Sequence, residues 1–147
     1  MTKIPHLSVR EFHGQAIIKK YTGREAKVVL DPTLLITKEE WNQDFEPENK
    51  ELGNYVLFYE LGNSRKHYNI ARQYAKRINA KLIVVPGTFL DCTKTDSEVC
   101  NASPVEFAQL VYNAKMVITD SFHATIFAIN FDKPFITLKR FKDTKKS

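Results

Sequence analysis

The chain is poor in the features that usually announce a function. It has only 2 cysteines and 1 tryptophan, and Cys92 and Cys100 stand in "DCTKTDSEVC" with no histidine inside or beside the run. That stretch cannot supply a set of zinc ligands, so no metal site is expected. The two thiols read as reduced loop residues; a disulfide would follow only in an oxidising compartment. No apolar run approaches the roughly 20 residues that a membrane-crossing helix needs. The opening "MTKIPHLSVREFHG" has no apolar core of a signal peptide, and the expected location is cytoplasmic. RNP and zinc-finger patterns are absent, so no nucleic-acid partner is expected. No low-complexity segment and no repeat of about 20 to 50 residues competes with a globular reading.

What the chain does have is an ordinary core. Its 147 residues are 43% hydrophobic and 27% charged, the balance of a soluble globular protein. The net charge of +5 is modest, and only the tail "LKRFKDTKK" concentrates it. We read that tail as a solvated basic segment, ahead of a role in binding an anionic ligand, a membrane surface or nucleic acid.

Periodicity then separates the elements. Leu7 and Val9 alternate with polar residues as a short strand does, and Gly14 to Tyr21 read as a helix stopped by "TG". "KVVLDPTLL" is an apolar run ended by Asp31-Pro32, and Thr37 with Glu40 forms a capping box ahead of a short helix carrying Trp41. The acidic, turn-rich "FEPENKELGN" reads as a linker. Beyond it, "YVLFYEL" is a strand, and Ala71, Tyr74, Ala75 and Ile78 fall at helical spacing. "AKLIVVPG" is the next strand. Ser103, Pro104 and Glu106 open a helix lined by Phe107, Leu110, Val111 and Ala114, and "MVITD" is a third strand. Apolar strands alternating with helices predict an α/β fold, a Rossmann-like parallel sheet with helices on both faces. Ligands are expected beyond the carboxyl ends of its strands, at "YELGNS", "VVPGTF" and "ITDSFH".

The last of these turns is the most informative. The strand is expected to end at Thr119, with Ser121 as N-cap and Phe122 to Asn130 as a helix apolar nearly all round and therefore buried. The first amides of such a helix, around His123 and Ala124, have no partners within it and lie at its positive end, a ready anion site. A histidine in that turn suits contact with a phosphate or carboxylate, or proton transfer near neutral pH. The competing reading is an ordinary Ser cap followed by a histidine that bonds a neighbouring loop. Asp120 and Thr125 carry less signal. Arg10 could clamp a phosphate or be a surface charge, and His6, His13 and His67 read as structural.

The succession "LSVREFHG", "VVLDPTLLITKEEW", "YVLFYELGN" and "SPVEFAQLVYNAKMVITDSFHATIFAINFDKPF" resembles the polysaccharide pyruvyl transferase family, in order from about Leu7 to Phe135. The resemblance implies a two-lobed fold similar to GT-B glycosyltransferases. It implies transfer of a pyruvyl unit, commonly as a cyclic ketal, from phosphoenolpyruvate to a sugar hydroxyl of a cell-surface or capsular precursor. No further cofactor is implied. His123 falls at the family's active-site histidine and Arg10 at an arginine that helps bind the donor. Ser121, Phe122, Ala124 and Thr125 around the histidine, and Arg140 in "LKRF", complete the expected substrate contacts. Some relatives carry an arginine two residues before that histidine, where this chain has Ser121. By the same likeness residues 1–46 are expected to be the end of a first lobe, 47–54 a linker, and 55–147 a second lobe incomplete at its C-terminus.

The resemblance leaves the donor phosphoenolpyruvate and a saccharide or lipid-linked saccharide acceptor as expected partners, with a homodimer possible on the apolar surface a cut lobe exposes. Two alternatives differ in class: a relative that binds an anion or glycan without turnover, and a nucleotide-sugar glycosyltransferase lobe. The latter needs an acidic ribose contact, for which Glu60 is the candidate.

Overall fold

A computed structural model of the chain describes residues 4–45, 54–62, 64–86 and 102–140. Most of the expected linker, the turn after Pro86, both cysteines and the tail beyond Arg140 lie outside the described residues. The chain divides into two compact units, Met1–Ile36 and Thr37–Ser147.

The first unit is a strand, helix and strand. Strand β1 (Ser8–Val9) lies parallel to β2 (Lys27–Val28), with α1 (Phe12–Thr22) between them in sequence. Gly23 ends α1 in the left-handed region at φ 70°, its N–H returning to the Lys19 carbonyl at 2.9 Å. This is the helix stop that "TG" encodes. Asp31 then opens a 3-10 turn over Pro32–Leu34, its carboxylate accepting from the Thr33 amide at 3.1 Å.

The second unit opens with α2 (Lys38–Gln43), capped as expected: Thr37 Oγ1 accepts from the Glu40 amide at 3.2 Å and Glu40 Oε2 from the Thr37 amide at 2.8 Å. The sequence reading placed α2 with the first lobe, ahead of the linker. Its aromatic side chains instead belong to the second unit. Trp41 meets Phe127 edge-on at 5.4 Å between centroids, and Phe45 meets Tyr112 at 5.3 Å and Phe131 at 6.1 Å. Buried aromatic area outweighs proximity in sequence here.

The rest of that unit alternates strands and helices: β3 (Tyr55–Glu60), α3 (Arg65–Arg77), β4 (Lys81–Pro86), α4 (Pro104–Asn113), β5 (Met116–Thr119), α5 (Phe122–Asn130) and β6 (Phe135–Thr137). The four strands form one parallel sheet in the order β4-β3-β5-β6. Side chains alternate across it. Tyr55, Leu57, Ile83, Val85 and Val117 face α4 and α5, while Val56, Phe58, Leu82, Val84 and Ile118 face α3 through Ala71 and Ala75. The fold is therefore the α/β, Rossmann-like sheet with covered faces that the sequence implies.

Two expectations need correction. Helix α5 is not buried all round: Ala124, Phe127 and Ala128 turn inward, but Phe122 is 54% and Ile129 52% exposed. These two are seven residues apart, two helical turns, and so share the outward face. Ile78, which the spacing counts within the helix, lies at the C-cap just past α3 and is 37% exposed.

The strand order positions the site. From β3 the chain crosses to β4 on one side, and from β5 to β6 on the other. Crossovers of one hand leading in opposite directions place α3 and α5 on opposite faces. Between β3 and β5 the order reverses, and the carboxyl ends of these two strands open the crevice where such sheets take ligands.

Candidate functional site

The two strands deliver their last residues to that point in register, with Tyr59 opposite Thr119. The buried Thr119 hydroxyl ties them: it donates to the Tyr59 carbonyl at 2.6 Å and accepts from the Ser121 amide at 2.9 Å. Glu60 and Asp120 thus leave the sheet as neighbours, one into each β–α turn.

The β3–α3 turn folds its polar groups inward. Glu60 is buried, and its carboxylate accepts from the Ser64 amide at 3.1 Å and is hydrogen-bonded to His67 Nδ1 at 2.8 Å. Ser64 caps α3 from the other direction, its Oγ accepting from the His67 amide at 3.3 Å. His67 is itself buried, on the inward face with Ala71 and Ala75. Glu60 therefore fastens strand end to helix start and is turned away from the role of an exposed ribose contact, which weighs against a nucleotide-sugar site.

Across the reversal, Asp120 reaches back to the same turn, accepting from the Leu61 amide at 2.7 Å and the Gly62 amide at 3.2 Å. The next residues separate into inward and outward sets. Ser121 and Ala124 are buried, and the Ala124 amide donates to Ser121 Oγ at 3.5 Å. The Ala124 amide, expected to be open, thus already has a weak partner. Thr125 Oγ1 donates to the Ser121 carbonyl at 2.9 Å and lies 3.3 Å from Thr137 Oγ1. Phe122 and His123 point outward, their rings edge to face at 5.7 Å. The structure thus places His123 on the exposed side of the first turn of α5, at the reversal of strand order.

The comparisons with known proteins bear on this turn. The family model for polysaccharide pyruvyl transferase matches residues 1–140. The chain belongs to the polysaccharide pyruvyl transferase family. No curated protein and no solved structure matches it. A polysaccharide pyruvyl transferase reading implies a saccharide acceptor, and the matched span includes both β–α turns and every expected site residue.

Those residues do not all gather at one place. Ser121, Phe122, His123, Ala124 and Thr125 share the start of α5. Arg140 follows β6 as an exposed residue, close enough for its charge to act on Tyr59. Burial raises the Tyr59 phenol above its ordinary value, Asp120 raises it further, and Arg140 opposes both. Arg10 belongs to the first unit, where Nη1 donates to the buried Asp31 at 2.8 Å. The amide and hydroxyl of Thr33 also donate to Asp31 there, at 3.1 and 2.8 Å.

The sequence reading missed the association of Glu60, His67 and Asp120. One signal was available: His67, Ala71 and Ala75 recur every four residues, so a helix that buries the alanines buries the histidine. A buried histidine demands a partner, and the acidic end of the preceding strand is the nearest one.

Proposed function

We propose that this polysaccharide pyruvyl transferase takes phosphoenolpyruvate as its donor and transfers the pyruvyl unit, as a ketal, to hydroxyls of a cell-surface or capsular saccharide precursor, free or lipid-linked. The observation that carries the reading is the exposure of His123 in the first turn of α5 at the reversal of strand order. A helix start favours the donor's phosphate or carboxylate, and His123 stands where it can contact the bound anion or deliver a proton.

In this reading His123 protonates C3 of phosphoenolpyruvate, and the electrons of the double bond leave an oxocarbenium at C2. A sugar hydroxyl attacks C2, and a second displaces phosphate to close the ketal. One hydroxyl proton restores the histidine and the other leaves with phosphate. Arg140 is the donor's cationic contact, Arg suiting bidentate recognition of either anionic group. Ser121 and Ala124 act through position, as cap and inward packing. The two units are parts of a GT-B-like pair of lobes, the protein works in the cytoplasm, and a second copy covers exposed apolar surface as a homodimer.

Calorimetry with phosphoenolpyruvate tests the donor, with inorganic phosphate and pyruvate as controls. His123→Ala is expected to lose binding at least tenfold. Arg140→Lys keeps the cation but gives up the guanidinium fork, and is expected to weaken binding in part. A folded parent chain that does not bind phosphoenolpyruvate, or a His123→Ala variant that binds it unchanged, overturns the proposal.

A further inference from the structure

We infer that Glu60, His67 and Asp120 form a site for one first-row divalent cation, with Mn²⁺ and Zn²⁺ as its candidates. Each offers one donor atom, and these atoms all lie within 4.8 Å of one another. That spacing lets a single ion reach all three at ordinary coordination distances of about 2.0–2.4 Å. The donors come from three separate segments, the end of β3, the first turn of α3 and the residue after β5. The reversal of strand order brings them together.

Charge and burial favour the ion. Glu60 and His67 are buried, with side chains 9% and 6% exposed. Two carboxylates this close repel one another when both are ionised. A histidine ligates as the neutral imidazole, so as ligands the three residues sum formally to −2, which one divalent cation balances. One imidazole with two carboxylates suits Mn²⁺ or Zn²⁺, whereas Ca²⁺ prefers six to eight oxygens. The carboxylates are also held in place. Asp120 takes the Leu61 and Gly62 amides, and Glu60 takes the Ser64 amide. A carboxylate has about four acceptor positions, so these contacts orient each group and leave room for coordination, as supporting hydrogen bonds do around metal ligands. The cation site was not expected from the sequence, and it stands whether or not His123 binds phosphoenolpyruvate.

The test uses the full chain, stripped with chelator and titrated with Mn²⁺ and with Zn²⁺ alone, Mg²⁺ and Ca²⁺ serving as comparisons. Calorimetry is expected to show one equivalent of Mn²⁺ bound and a melting temperature that rises with it. Asp120→Asn and His67→Gln are each expected to weaken Mn²⁺ binding about 10- to 100-fold. Paramagnetic broadening in the parent chain needs no variant. Loss of amide signals centred on Leu61, Ser64 and Asp120 supports the site. The absence of saturable Mn²⁺ binding, broadening centred elsewhere, or unchanged affinity in both folded variants overturns it, and leaves the three residues as a hydrogen-bonded clasp.

Discussion

The two turns that flank the reversal of strand order are built on one plan and used in opposite ways. Each follows a parallel strand and starts a helix with a serine cap, Ser64 in one and Ser121 in the other. In the β3–α3 turn the residue three past the cap, His67, is drawn inward to Glu60. In the β5–α5 turn the first two helical residues, Phe122 and His123, are left outside while Ser121 and Ala124 pack inside. One turn holds the sheet's edge together. The other presents a side chain from it, and Asp120 joins the two.

Breaking the holding turn should cost the most stability. Glu60→Ala leaves the buried His67 ring and the Ser64 amide without their acceptor, and urea unfolding should register a loss of about 3 kcal/mol, the upper part of the range for stranded buried polar groups. A loss under about 1 kcal/mol would mean that Glu60 is not an anchor. Asp120→Ala releases two backbone amides from a charged acceptor and should cost about 2–3 kcal/mol. If the link between the turns is the reason, amide exchange at Leu61 and Gly62 should accelerate in this variant.

Smaller effects belong to the presenting turn. Ser121→Ala removes a cap whose bond to Ala124 is already 3.5 Å long, so the loss should stay near the low end of the cap range, about 0.5–1 kcal/mol. A cost of about 2 kcal/mol would mark Ser121 as a second anchor. The Tyr59 phenol, raised by burial and by Asp120, keeps its proton in the folded chain after the unfolded chain has lost it. Its contribution is complete below the ordinary value of 10.0 and falls as pH climbs through the higher folded value. Tyr59→Phe should flatten the alkaline limb of a stability-against-pH profile; an unchanged slope would assign that limb to other groups. His123→Ala should change stability by no more than about 0.5 kcal/mol, as exposed substitutions usually do, while removing donor binding.

Much of this architecture was legible because local signals agreed with one another. The capping boxes at Thr37 and Ser103 and the cap at Ser121 mark helix starts that the structure reproduces. The uninterrupted apolar runs of β3 and β5 require a sheet covered on both faces, and both faces are covered. What local pattern cannot carry is strand order. Glu60 and Asp120 are 60 residues apart, and nothing near either one says that β5 rather than β4 continues the sheet on that side of β3. Without that order, His67 has no visible reason to be special and Asp120 looks weaker than His123. Helix α5 misled for a different reason. Its outward face carries Phe122 and Ile129, so a count of apolar residues implied full burial where the geometry buries one side. Trp41 shows the same limit in the core: the linker that follows it suggested the first unit, yet its ring packs on Phe127. Its indole Nε1 has no hydrogen-bond partner among the described residues.

The division of labour between the two turns can be read directly by following backbone amide resonances of the full chain as phosphoenolpyruvate is added. Saturable shifts concentrated at Phe122, His123 and Ala124, with Leu61 to His67 little changed, are the expected result. Shifts concentrated at Leu61 to His67, or none at a concentration that saturates a folded sample in calorimetry, would contradict the assignment of the β5–α5 turn as the presenting side of the site.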